Sequence, residues 1–485
     1  MDLTGAQVGV FEVWGPIGEG GMSRVWLARH RELSVPVVLK TLRETEESRE
    51  AFERLRNEAR LMARVPSSVI VRAVDAGMHR GAPYIAQEYV DGLDLAELDR
   101  RRRAAVGSGL PLWFVCDAAA QVADALHSAH KTGVLHRDVK PSNLLGSPQM
   151  GVRLGDFGIA QARGLEETKL YGTLRFIAPE ALRGEPPTRQ CDVYSLGSTA
   201  YDLRYGEAPF SDLVQILGDA PAVFPPARSA EEAYFQHVLG RMLHRDPAKR
   251  YGSMALPRRL FAYLARQLRP ALPAIRVERG AWQVGPVRVS CTLGDIAEAQ
   301  ADGIVNSAND EMRMAVGVGA ALRKRGGQVI EDEATKDGRR ALGDCVATSG
   351  GSLACRYVLH AVSAWNQASC VARTSQRVFL LAEELGLRSL AIPALGTGQA
   401  RVAPEASAYA VGSALYEHVL LGGSRIREVR FVLYDTVTRE LFIDLLEELF
   451  LGEVDPTADA SDGARDDPAG EETVLLPFSS RRSSF

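Results

Sequence analysis

Apolar positions along this chain form short runs whose periodicity alternates between strand-like and helix-like, in two large blocks. The first block runs from Phe11 to a helical stretch at 260–267. Within it, Val37-Val38-Leu39-Lys40 reads as a strand, and residues 52–63 and 114–131 read as helices. The run Arg269-Pro270-Ala271-Leu272-Pro273 then interrupts the pattern and marks a linker. The second block extends from Trp282 to Leu451, with buried-strand candidates at 303–305, 357–362, 389–393 and 429–434 and a helical pattern at 375–385. Strands spaced by helices predict a sheet with helices on its faces. Gly452 to Phe485 is rich in Asp, Glu, Gly, Ala, Pro and Ser and is predicted to be a disordered acidic tail. The expected plan is a first domain at 11–267, a linker at 268–281, a second domain at 282–451 and a tail at 452–485.

Composition adds little that is specific and excludes several classes. Apolar residues make up 46% of the 485, enough for large cores, and a net charge of −4 gives no electrostatic case for nucleic acid or an acidic membrane as partner. The six cysteines are scattered without a CxxC pair, which fits free thiols in a reducing compartment. The start Met1-Asp2-Leu3-Thr4 lacks a basic and apolar signal stretch, and no apolar run reaches the roughly 18–20 residues that span a bilayer. The expectation is a cytoplasmic protein.

The first block carries candidate phosphoryl-transfer chemistry. In Ile17-Gly18-Glu19-Gly20-Gly21-Met22-Ser23-Arg24-Val25, glycines let the backbone approach a triphosphate and aim N–H groups at it. Lys40 on a strand needs a charge partner, which Glu58 in the helical stretch can supply. By themselves these pieces also describe a hairpin and a surface ion pair. Further on come His136-Arg137-Asp138-Val139-Lys140-Pro141-Ser142-Asn143, then Asp156-Phe157-Gly158, then Ala178-Pro179-Glu180.

That ordered set resembles the protein kinase superfamily over some 255 residues. The glycine-loop wording looks like the bacterial branch of eukaryotic-type (Hanks-type) kinases, and the resemblance implies a bilobal kinase fold. It further implies that Lys40, fixed by Glu58, holds ATP phosphates. Asn143 and Asp156 would hold Mg2+. Asp138 would orient the substrate hydroxyl, Lys140 would steady the γ-phosphate, and Thr173 would bridge Asp138 and Lys140 as in serine/threonine kinases. Asp192 and Glu180 are expected to be structural carboxylates, the arginine partner being Arg250. Arg137 is expected to await a phosphate on Thr168 in the loop 159–179, with Glu166 or Glu167 as the alternative partner.

In the second block, Leu293-Gly294-Asp295-Ile296 is followed by Asp302-Gly303-Ile304-Val305-Asn306-Ser307-Ala308-Asn309. Val316-Gly317-Val318-Gly319 opens a helix, and Pro393-Ala394-Leu395-Gly396-Thr397-Gly398-Gln399 follows a strand. Two phosphate-friendly loops at strand ends point to a nucleotide diphosphate. Together they resemble the macro domain, an ADP-ribose-binding α/β/α sandwich, over Val287 to Leu451. The resemblance implies that Asp295 accepts from the adenine amino group beside Ile296 and that Tyr434 stacks on adenine. Asn306 and Asn309 would face the distal ribose, and the backbones of Gly317, Val318, Gly319 and Gly396, Thr397, Gly398, Gln399 would hold the phosphates. His360 is expected to be a packed core residue. The chain departs from the hydrolytic pattern at Gly319, where those members carry an aspartate, and at Ala400, where an aromatic is usual.

The leading expectation is an ATP- and Mg2+-dependent serine/threonine kinase with an ADP-ribose-reading module. Its partners would be protein substrates and ADP-ribose or ADP-ribosylated protein. The alternatives are a kinase paired with an ADP-ribosyl hydrolase, or a kinase-fold signalling scaffold. In the tail, residues 453–472 hold eight acids and one arginine ahead of Thr473, a candidate phosphorylation site for a phosphothreonine-binding partner.

Overall fold

The computed structural model describes residues 2–19, 23–42, 52–53, 56–57, 59–60, 62–147, 151–156, 174–210, 212–365 and 368–452. The amino-terminal block opens as an antiparallel sheet in the order β1-β2-β3-β4-β6-β5. Its strands are β1 (Gln7–Val8), β2 (Phe11–Glu19), β3 (Ser23–His30), β4 (Pro36–Leu42), β5 (Ala73–His79) and β6 (Ala82–Glu88). Alternation along β4 buries Val37 and Leu39 with Phe11, Val13 and Trp26 on one face, and so turns Val38 and Lys40 to the other.

A helical lobe follows: α1 (Leu95–Val106), α2 (Leu112–Lys131), the short pair β7 (Leu144–Gly146) and β8 (Val152–Leu154), α3 (Pro179–Leu182), α4 (Arg189–Tyr205), α5 (Leu213–Leu217), α6 (Ala230–Met242) and α7 (Ala255–Leu268). The lobe is built round α2, whose Phe114, Val115, Val122 and Leu126 share one core with Val193 and Leu196 of α4 and Phe261 and Leu264 of α7. The predicted helix at 114–131 is two residues longer at its start, and the one at 260–267 begins at Ala255.

The second block is an eight-stranded sheet in the order β13-β14-β12-β17-β18-β11-β10-β9. In chain order its elements are β9 (Ala274–Glu278), β10 (Ala281–Val284), β11 (Val287–Leu293), β12 (Gly303–Ala308), α8 (Gly317–Gly326), α9 (Val329–Thr335), β13 (Cys345–Ser349) and β14 (Tyr357–Val362). A two-residue hairpin of β15 (Ala364–Trp365) and β16 (Ala368–Ser369) comes next, then α10 (Val371–Glu384), β17 (Ser389–Ile392), α11 (Pro404–Leu420), β18 (Glu428–Leu433) and α12 (Thr436–Leu451). The five central strands are parallel and the edges antiparallel.

Both faces of the central strands are apolar, which is why these strands read as continuous hydrophobic runs. Val305, Leu359, Leu390 and Phe431 pack under α10, α11 and α12. Their neighbours Ile304, Val358, Ala391 and Val432 pack under α8 and α9. The result is a three-layer sandwich, and a fully buried Phe431 side chain is worth roughly 2–3 kcal/mol to it.

The expected linker at 268–281 is corrected at both ends. α7 runs on to Leu268, and β9 and the start of β10 fall inside the range, leaving 269–273 and the two-residue turn 279–280 between elements. Edge strand β9 escaped the sequence reading because it is mostly exposed and alternates apolar with charged residues. The tail beyond Gly452, with Thr473, lies outside the described residues.

The two blocks pack directly on each other. Arg377 of α10 makes a forked ion pair with Glu97 of α1, 2.8 Å on each arm. Against the cost of burial, that bond holds the Glu97 carboxyl down at about 2. Asp91 accepts the first free amides of α10, from Ala372 and Arg373, at 3.0 Å. Gln376 accepts from Leu93 N (2.9 Å) and donates to Glu417 (3.1 Å).

Burial pushes Glu417 up to about 7 from an ordinary 4.5. The folded chain therefore holds a proton that the unfolded chain releases. This contribution is complete below the unfolded value and lost as pH rises through about 7. Glu417→Gln should match the parent near pH 4 and exceed its stability at pH 8 by on the order of 3 kcal/mol, read as thermal unfolding midpoints.

Candidate functional site

The first site lies between the sheet and the helical lobe. Asp138 Oδ2 accepts from Asn143 Nδ2 at 2.9 Å and forms an ion pair with Lys140 Nζ at 2.9 Å, and Asn143 Nδ2 also reaches the Asp138 carbonyl at 2.7 Å. Across from them, Lys40 on β4 pairs with Asp156. Against burial, Lys40 keeps the Asp156 carboxyl below its usual range.

The loop holding Asp138 is pinned from beneath. Asp192, fully buried in the first turn of α4, accepts from His136 N at 3.0 Å, Arg137 N at 2.8 Å and the His130 ring at 2.7 Å. His136, kept neutral by burial, bonds the Gly155 carbonyl at 3.0 Å and ties this loop to the one bearing Asp156. Arg137 and Asp156 sit at φ of +68° and +55°, left-handed values that non-glycine residues adopt only when their surroundings enforce them. Glu180 is paired with Arg250, which lies inside the helical lobe at 2.6 Å.

Sequence reasoning did not single out the α4 hydroxyls. Ser195 bonds Phe176 O, Ser198 bonds Arg175 O, and Thr199 bonds Val139 O at 3.1 Å. Three small polar residues on a helix buried nearly all round were the available signal.

Of the residues assigned to this site, Ile17 and Gly18 end β2 and Arg24 and Val25 open β3, with Gly18 paired to Val25. Glu19 and Ser23 terminate the same strands. Gly20, Gly21, Met22, Glu58, Thr168 and Thr173 lie outside the described residues, as do Glu166 and Glu167. Asn143 and the Asp156 carboxylate offer the hard oxygen donors that Mg2+ takes, and the Asn143 amide nitrogen is already committed to Asp138, which leaves its carbonyl for the ion.

The second site is a cavity of about 700 Å3 at the carboxyl ends of the parallel strands. Asp295, Ile296, Asn306, Asn309, Gly317, Val318, Gly319, Gly396, Thr397, Gly398, Gln399 and Tyr434 all line it. Gly317 opens α8 at φ +56°, and the preceding Val316 supplies no side-chain cap, so the first amides of that helix are available to an anion. Gly396 N is held by Ser307 Oγ at 3.1 Å, which orients the facing loop. Asp295 spends one oxygen capping Ala297 N at 2.9 Å and keeps the other. Tyr434, 92% exposed, stands at the mouth.

Deep in the cavity, Asn306 donates to His360 Nδ1 at 3.1 Å, while its Oδ1 is buried without a hydrogen-bond partner. Such an orphaned acceptor is costly in a closed core and ordinary where a ligand hydroxyl completes it. His360 is fully buried, its other nitrogen is bonded to Thr348 at 2.9 Å, and burial takes its pKa down to about 4. It is a packed residue that aims Asn306. Asn309 is less free than expected, because its amide staples the loop by accepting from Arg313 N and donating to Arg313 O. At Gly319 a Cβ would sit 3.1 Å from Met314 Cα, so the aspartate found in hydrolytic members would need that loop to shift. Arg313, Ser363 and Thr438 join the lining without having been singled out.

Comparison with known proteins follows the same division. The family model for the macro domain matches residues 305–411. Similar curated proteins include the serine/threonine-protein kinase PknF of Mycobacterium tuberculosis, 34% identical over 256 residues, covering 50% of this chain and 53% of that protein. Another is a probable serine/threonine-protein kinase of Clostridium perfringens, 30% identical over 258 residues, covering 50% of this chain and 36% of that protein. The chain thus spans about half or less of the length of these relatives. The crystal structure of the Mycobacterium tuberculosis PknI kinase domain aligns at 28% identity with a TM-score of 0.42, covering 54% of this chain and 98% of its own. The family model for the protein kinase domain matches residues 11–261, just over half of the sequence, and the chain belongs to that family.

Proposed function

We propose that this chain is a serine/threonine protein kinase using ATP and Mg2+, with a macro domain that binds ADP-ribose or a closely related nucleotide. The observation that carries the first half is the arrangement round Asp138. Asn143 and Lys140 both engage Oδ2, which leaves Oδ1 to accept the proton of a substrate hydroxyl. Lys40 exchanges Asp156 for the phosphates of ATP, and Lys140 is placed to follow the charge of the transferred group. Mg2+ held by Asn143 and Asp156 supplies charge neutralisation at the phosphates. Incubation with radiolabelled ATP and a protein panel, with and without ADP-ribose, tests this reading. Labelled serine or threonine is expected.

The second half rests on twelve assigned residues sharing one cavity and on the buried acceptor of Asn306. The free oxygen of Asp295 would take the adenine amino group and exposed Tyr434 would cover the ring. Calorimetry on the full chain should show saturable ADP-ribose binding, weakened about tenfold or more by Asp295→Ala, as the loss of a charge-assisted hydrogen bond of roughly 1.5–3 kcal/mol requires. The two carboxylates lining the cavity, Asp295 and Asp435, are both engaged in capping turns. Removal of ADP-ribose from modified protein should accordingly be slow, and fast removal that Asn306→Ala abolishes would favour a second enzyme in place of a reader.

A further inference from the structure

The face of the amino-terminal sheet that bears Lys40 is not left open to solvent. Val25 is the cross-strand partner of Lys40, and Leu27 that of Val38, so Val25, Leu27, Val38 and Lys40 share that face. With Ile17, this is the apolar wall against which a flat ring bound next to Lys40 must lie. In the structure that wall is packed by the macro half. Ile17, Leu27, Val25, Val38 and Tyr89 form one apolar cluster with Met312, Leu342, Val362 and Cys370.

The contact is specific at the backbone. Leu342 N bonds Pro16 O at 3.3 Å on β2, and the Leu342 side chain lies against Gly15. Met312 is fully buried in the cluster and sits at φ +62°, a left-handed conformation uncommon for a residue other than glycine. On the other side of the cleft the segment joining the lobes is also claimed. Asp91 caps α10, Leu93 N bonds Gln376, and Glu97 pairs with Arg377. The macro half therefore touches both lobes and covers the wall between them.

We propose that the macro domain is a built-in gate on the nucleotide cleft: docked as here, Leu342 and Met312 occupy the apolar wall of Ile17, Val25 and Val38, and ATP gains that wall only when the two halves part. Lys40 and Asp156 are left paired and partly exposed beside the gate, so the phosphate end of the cleft is formed while its ring end is filled. Closure and ATP binding are then competing equilibria, and anything that weakens the interface must raise apparent ATP affinity by the fraction of closed molecules it releases.

The inference rests on the kinase reading above, and one experiment separates the two. Binding of a fluorescent ATP analogue with Mg2+ is measured on the full chain, on Glu97→Arg, on Glu97→Arg/Arg377→Glu and on Leu342→Asp, with hydrogen exchange of the parent with and without saturating ATP. Glu97→Arg and Leu342→Asp should tighten ATP binding at least tenfold, and the double charge exchange should bring it back toward the parent value. In the parent, saturating ATP should increase amide exchange at Leu342, Ala372 and Arg373. ATP bound with equal affinity by all four proteins, or bound by the parent with those amides still protected, overturns the gate and leaves the kinase reading standing. Absence of ATP binding in every variant overturns the kinase reading itself.

Discussion

Asp138→Asn should lose autophosphorylation by about 10²- to 10⁴-fold while folding normally. The structure supplies the reason. Two donors, Asn143 Nδ2 and Lys140 Nζ, converge on Asp138 Oδ2. An asparagine must turn its carbonyl oxygen toward both of them, because its amino group cannot face two donors. That choice presents NH2 to the incoming hydroxyl, a donor where an acceptor is required. Binding of ATP, which Asp138 does not touch in this reading, should survive. The check is single-turnover labelling with radiolabelled ATP beside a thermal unfolding curve. Undiminished labelling would show that Asp138 is not the group that orients the nucleophile.

Arg250→Ala should unfold the helical lobe more readily by roughly 3–5 kcal/mol, the usual cost of stranding one member of a buried ion pair. Arg250 is 2% exposed and its fork meets Glu180 at 2.6 and 2.9 Å. The same guanidinium bonds the carbonyls of Gln190, His244 and Arg245 at 2.9, 2.7 and 3.3 Å and lies over the Tyr194 ring. Alanine would leave the buried Glu180 carboxyl without its forked partner, along with three carbonyls. Arg250→Lys keeps the charge but not the fork and should recover only part of the loss. Chemical denaturation followed by tryptophan fluorescence reads both variants. A loss below about 1 kcal/mol for the alanine would mean that the lobe relaxes to let water reach Glu180.

Much of the fold was legible along the chain because its signals are local. The strand at 357–362 has the predicted bounds, and 389–393 and 429–434 are off by a residue at their ends, since both faces of a parallel central strand must be apolar and the run is unmistakable. Edge strands were not legible. β9 carries exposed charges and β13 is short and flanked by glycines, so neither stands out from loop. The site residues share this split. Asp138, Asn143 and Asp295 sit in recognisable strings. The α4 hydroxyls and the His360 bond to Asn306 do not, because each is a contact between residues far apart in sequence.

The sequence by itself determined that two sets of motifs reside in one chain, those of a protein kinase domain and those of a macro domain. Each set consists of short motifs whose backbone requirements are written in neighbouring residues: glycines where φ must be positive, carboxylates and lysines at set intervals. What only the tertiary structure decided is how those two domains stand to one another. Leu342, Met312 and Cys370 are ordinary apolar residues in a sequence that is nearly half apolar, and no periodicity distinguishes burial against one's own sheet from burial against another domain. The Glu97–Arg377 pair joins residues 280 positions apart, and the capping of α10 by Asp91 spans a similar distance. Such contacts are set by shape and by charge satisfied across an interface, and these exist only once both domains have folded.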